Sequence, residues 1–135
     1  MIELLAKLAP ESVNEKNNNG STPAHFAALN DRAAVIEALA ELDSETLKEK
    51  NDFGFTPAHS AASKGHVAVL KVIAKHALRT VEAKDNNGAT PLDLLRDEAG
   101  YLRHRGENQK ADELEEFANR LAAKLDVVLL ENLDL

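Results

Sequence analysis

The chain has 135 residues, of which 44% are apolar and 29% charged, with a formal net charge of −7 and no cysteine. Its length suits one domain of about 100 to 150 residues, and no apolar run approaches the roughly 20 residues of a membrane span. The absence of cysteine removes disulfides and thiolate zinc sites, and the negative balance argues against nucleic acid as the main partner, because phosphates are bound chiefly through lysine and arginine.

The chain opens "MIELLAKLAPES", a helical pattern with one lysine and none of the basic start, uninterrupted apolar stretch or cleavage site of a signal peptide. The expectation is an intracellular, cytoplasmic protein, with secretion by a route lacking a signal peptide left open. From residue 17 the phrase "NNNGSTPAHFAA" appears. It returns as "NDFGFTPAHSAA" at 51 to 62 and in part as "DNNGATPLDLL" at 85 to 95. The Thr-Pro pairs stand at 22/23, 56/57 and 90/91, so the period is 34, and a sustained period of this size signals stacked structural repeats. Residues 1–18 form a half repeat, 19–52 and 53–86 two full repeats, and 87–105 a divergent terminal repeat. The half repeat begins inside a second helix, so Ile2, Leu5 and Leu8 are left with one flank uncovered. Either the segment is cut from a longer protein, or those residues lie exposed or meet another chain, self-association through this edge included.

Within a repeat, Thr22, Thr56 and Thr90 suit the N-cap position, where a hydroxyl accepts from an orphan amide, and Pro23, Pro57 and Pro91 suit the first helical position. The helix they open is expected to be short, because Asn30-Asp31 and Gly65 tolerate left-handed backbone. A second helix follows, with Ala33, Val35, Ile36, Leu39 and Leu42 in one copy and Val67, Leu70, Ile73, Ala74 and Ala77 in the next at helical spacing. "LKEKNDFG" and "VEAKDNNG" then end in tight-turn residues. Ala27-Ala28 and Ala61-Ala62 are the small residues that close helix packing requires. The third repeat departs: Asp93 replaces His25 and His59, and Leu95-Arg96 replaces the alanine pair. From Asn108, Leu114, Phe117, Ala118, Leu121, Leu125 and Val128 fall on one face of a long helix. Residues 106–135 are therefore read as an acidic capping helix and tail, carrying eight acids and three bases against 15 and 13 in residues 1–105.

These residues resemble a known family. "GSTPAHFAA", "GFTPAHSAASKGHVAVL" and "GATPLD" are similar to the G-x-T-P-L-H-x-A-A-x-x-G-H core of ankyrin repeats, over residues 1 to about 100. The fold class expected is all-α: an ankyrin-like helix-turn-helix solenoid with projecting hairpin loops and a long C-terminal capping helix. The usual ankyrin repeat runs 33 residues, with a Gly-Ala-Asp loop that this chain lacks, so the second helix is expected to be longer or to end differently. The resemblance implies that His25 and His59 tie the short helix to neighbouring loops by hydrogen bonds, and that His66 is structural. His76 and His104 are expected to be solvated.

No catalytic group emerges. Asp93, Asp97 and Glu98 can be imagined in acid/base work, but acids near a helix start ordinarily serve the dipole. His59 and Ser60 are adjacent on a helix and so do not face one another. No ligand set recurs at metal spacing and no glycine-rich phosphate loop is present. The expectation is a non-enzyme without cofactor or metal.

The resemblance implies instead a module that binds a protein or peptide through its loop tips and the exposed flank of the short helices; the charge balance and the lack of a long apolar run lead to the expectation of no nucleic acid or membrane partner. The candidates are Asn18, Asn19 and Ser21 in the first loop, Lys50, Asp52, Phe53 and Phe55 in the second, and Asn86 and Asn87 in the third. Two of the four phenylalanines sit where the sibling loops have Asn, Ser or Ala, and aromatics on an exposed central patch are hot-spot candidates. Leu29, Asn30, Ser63 and Lys64 extend the face. The alternative function is a structural segment of a longer repeat or multidomain protein, which positions another domain or self-associates.

Overall fold

In the computed structural model, which describes residues 15–133, each Thr-Pro pair opens a helix. Among the described residues there are six α-helices, α1 (Pro23–Leu29), α2 (Ala33–Leu42), α3 (Pro57–Ser63), α4 (Val67–Ala77), α5 (Pro91–His104) and α6 (Asn108–Leu133), and no strand. Thr22, Thr56 and Thr90 hold extended backbone, and a capping box closes each start. The box uses an unusual partner. Nδ1 of His25 and of His59 accepts from the N–H of Thr22 and Thr56 at 3.0 Å, and Oδ2 of Asp93 does the same for Thr90.

α1 and α3 are seven residues each and stop where the backbone turns left-handed, at Asp31 (φ 58°) and Gly65 (φ 69°). α2 and α4 run back along them. Each second helix ends differently rather than longer: 3-10 turns at Ser44–Lys48 and Leu78–Glu82 follow and bury Leu47 and Val81 completely. α1 packs along α3 and α3 along α5, while α2 packs along α4 behind them. This close stacking depends on Ala24, Ala28, Ala58, Ala61 and Ala62, all fully buried, and the layer behind is filled by Ile36, Leu39, Leu70 and Ile73.

The third unit departs as its residues do. α5 continues for 14 residues without a turn, and Leu95 is buried where the siblings carry alanine while Arg96 is exposed. α6 lies against α5, with Ala111, Leu114, Ala118, Leu121 and Leu125 buried and Phe117 and Val128 half-buried. Arg103 of α5 reaches Asp112 (2.8 Å) and Glu115 (3.0 Å) of α6, and these carboxylates raise its guanidinium pKa further above the ordinary value. The stretch that begins "LLEN" continues α6 to Leu133. Ile2, Leu5 and Leu8, and with them most of the 1–18 half repeat, lie outside the described residues, as do Asp134 and Leu135.

One histidine requires correction. His76 is not solvated: its half-buried ring pairs with Glu37 at 2.9 Å, and Lys75 meets the same carboxylate at 3.0 Å, joining α2 to α4. These partners, His76 first, hold Glu37 below the usual carboxylate range. The residues sit on separate repeats, so helical spacing within one repeat does not reveal the pair. His104 is exposed at the end of α5.

Candidate interaction surface

The loops that precede α1, α3 and α5 are built alike. Each begins with an Asn or Asp whose side chain folds over the turn: Asn17 Oδ1 accepts from the N–H of Asn19 and Ser21, Asn51 Oδ1 from Phe53 and Phe55, and Asp85 Oδ1 from Asn87 and Ala89, at 2.8 to 3.1 Å. Backbone bonds from Asn17 to Ser21, Asn51 to Phe55 and Asp85 to Ala89 close the hairpins. Sequence reasoning missed these three residues as the organisers of the loops. The signal was available, since an Asn or Asp stands five residues before every cap threonine.

Adjacent loops are then tied together. Asp52 N–H donates to Asn19 C=O (2.9 Å) and Asn86 N–H to Phe53 C=O (3.1 Å). The loops approach closely enough that a Cβ on Gly20 would lie 2.8 Å from Asp52 Oδ1, and one on Gly54 2.7 Å from the backbone nitrogen of Asn86. Histidine supplies the second tie. Because Nδ1 of His25 and His59 accepts the cap amide, Nε2 carries the proton and donates to a carbonyl of the following loop, Phe55 at 2.6 Å and Ala89 at 3.0 Å. Burial, opposed by these carbonyls, lowers both imidazole pKa values, so both rings are neutral at pH 7. His66 Nε2 likewise donates to Leu29 C=O (3.0 Å), joining the start of α4 to the end of α1. With both nitrogens engaged, His59 offers none to Ser60.

Asp93 now has a physical explanation. Its carboxylate performs the capping half of the histidine's work and cannot perform the other half. No further Thr-Pro hairpin follows among the described residues to supply a carbonyl; α5 leads through residues 105–107 into α6 instead.

The nine candidate residues therefore separate. Lys50 Nζ donates to Lys84 C=O (2.9 Å), Asn86 Nδ2 to Asp52 C=O (2.8 Å), and Ser21 Oγ accepts from Asn51 Nδ2 (3.3 Å), so these three side chains hold the loops to one another. Asn18, Asn19, Asp52 and Asn87 are exposed, and their side chains make no hydrogen bond among the described residues. The phenylalanines divide too. Phe55 is half-buried and stacks on His59 (centroids 5.4 Å, planes 4° apart), whereas Phe53 is 57% exposed and leans on Phe55 at 6.1 Å. Leu29 and Lys64 are exposed; Asn30 and Ser63 spend their side chains on carbonyls of their own helices. Phe26, 48% exposed, was not anticipated as a surface residue.

The arrangement is a rigid row of three turns with one large aromatic at its centre, a carboxylate beside it and amides on both sides. Chemically it can bury a ring and pair polar groups around it. Neither a protein-family model nor a curated protein matches this chain.

Proposed function

We propose that this protein is a non-catalytic interaction module, an ankyrin-like solenoid that binds a protein or peptide through its loop tips. The observation that carries the reading is Phe53: an aromatic ring held more than half in solvent, on a backbone pinned on both sides by loop-to-loop hydrogen bonds. Exposing such a ring gains nothing for the fold, and a preorganised aromatic is the kind of group that dominates interface energies. Phe55 supports it from behind, and Asp52, Asn18, Asn19 and Asn87 form a polar rim.

The test separates anchor from support. With a partner recovered on the immobilised wild-type chain, Phe53→Ala is expected to weaken binding by about 2 kcal/mol, roughly 30-fold. Its unfolding free energy should stay within about 0.5 kcal/mol of wild type, as for other exposed positions. Equal affinity of the two proteins for that partner would remove Phe53 from the interface and the reading with it.

A further inference from the structure

Asparagine precedes glycine twice in the chain, at Asn19-Gly20 and Asn87-Gly88, in equivalent places of the first and third loops; the middle loop has Phe53 there. Such a pair is open to a reaction of its own backbone, because glycine has no side chain to shield its nitrogen from the side-chain amide carbon of the asparagine. The two pairs are matched locally. Both asparagines are exposed and their side chains make no hydrogen bond among the described residues. Both glycines have positive φ (74° and 82°), and each donates its N–H at 3.0 Å, Gly20 to Asn17 C=O and Gly88 to Asp85 C=O.

What differs is the freedom of the peptide that has to move. Bringing the glycine nitrogen onto Cγ rotates the Asn-Gly peptide about the asparagine Cα–C bond, and the asparagine C=O swings with it. Asn19 C=O accepts from Asp52 N–H (2.9 Å), and Gly20 is half-buried with its Cβ position 2.8 Å from Asp52 Oδ1. Asn87 C=O accepts from no backbone or side-chain group among the described residues, Gly88 is exposed, and nothing lies within 4 Å of its Cβ position. Rotation at Asn87 therefore opens one turn bond, whereas rotation at Asn19 also breaks the tie to the second loop. Asp85, standing where the first loop has Asn17, works against Asn87, since a carboxylate disfavours loss of a nearby proton; it is not a source of faster reaction there.

We propose that Asn87 is a site of spontaneous deamidation, and that the stacked second loop shields Asn19 from the same reaction. Gly88 N gives its proton to solvent and attacks Asn87 Cγ. The N–Cγ bond forms, the Cγ–Nδ2 bond breaks, and Nδ2 takes up a proton and leaves as ammonia, so a cyclic imide remains. Water opens the imide. Addition at Cγ gives aspartate; addition at the main-chain carbonyl gives isoaspartate, whose main chain runs through Cγ and is longer by a methylene. Either product replaces a neutral amide of the third loop by a carboxylate, and neither requires an oxidant or an enzyme. The proposal is independent of Phe53.

The full chain is incubated in warm, mildly alkaline buffer, and both sites are followed by peptide mapping with mass spectrometry that separates aspartate from isoaspartate. In the folded chain Asn87 is expected to convert at least about tenfold faster than Asn19, the effect of one further hydrogen bond that must open. In denaturing urea the two rates should converge, because both sites then read only Asn-Asn-Gly. Asn87→Gln, at an exposed side chain without a partner, should abolish conversion in the third loop, since the larger ring closes far more slowly. The proposal is overturned if the two sites convert at indistinguishable rates in the folded chain, if Asn19 leads, or if the difference survives in urea. Conversion that persists in the third loop of Asn87→Gln would place the reaction elsewhere and overturn it as well.

Discussion

Removing the imidazole of His59 tests the loop architecture directly. The ring is fully buried, accepts from Thr56 N–H, donates to Ala89 C=O and carries Phe55 on its face. His59→Ala deletes two hydrogen bonds at about 0.5 to 1.5 kcal/mol each and strands a buried amide, whereas Ala89 C=O keeps its bond from Asp85. Adding the lost stacking, the expected cost is about 3 kcal/mol. His59→Asn is the discriminating variant. Its amide oxygen can accept from Thr56 N–H as Asp93 does from Thr90, yet it is too short to reach the next loop, so roughly half the loss should be recovered. Urea unfolding gives the free energies, and hydrogen exchange at Thr56 and Asn86 separates the cap from the loop tie. The reasoning fails if the alanine variant lies within about 0.5 kcal/mol of wild type, or if asparagine is as damaging as alanine.

Two further outcomes follow from the same contacts. Because burial lowers the folded-state pKa of His25 and His59, the unfolded chain takes up protons first as pH falls below about 6.5; stability present at pH 7.5 is therefore lost below that value until the folded rings also protonate, and His59→Asn should flatten part of the loss in urea midpoints taken between pH 7.5 and 5. Gly54→Ala and Gly88→Ala share positive φ and so a strain of about 1 to 2 kcal/mol, but only the first meets the next loop, where a Cβ would lie 2.7 Å from Asn86 N; a further loss of about 1 to 3 kcal/mol is expected there, and equal midpoints would show that the loops do not hold one another as tightly as described.

The three threonine caps, the shortness of α1 and α3 and most of the buried faces of α2, α4 and α6 were legible in the chain, because each is set by contacts within a few residues: hydroxyl to amide, left-handed turn to helix end, side chains at i and i+4; Leu42, expected on the apolar face of α2, is instead exposed at the helix end. So was Phe53 as an outlier, since comparison of one repeat with the next isolates it. Phe55 was indistinguishable from Phe53 by that comparison. Only the stacked ring of His59 separates them, and that ring is placed by the cap at Thr56 and by a carbonyl 30 residues beyond the histidine in sequence. The Glu37–His76 pair, the interlocking side chains of Lys50, Ser21 and Asn86, and the exposure of Phe26 likewise depend on which repeat lies against which. A local pattern specifies the unit because its own neighbours satisfy its backbone. What each surface residue is free to do is decided only when the units stack, since stacking consumes some exposed groups and leaves their periodic counterparts unpaired.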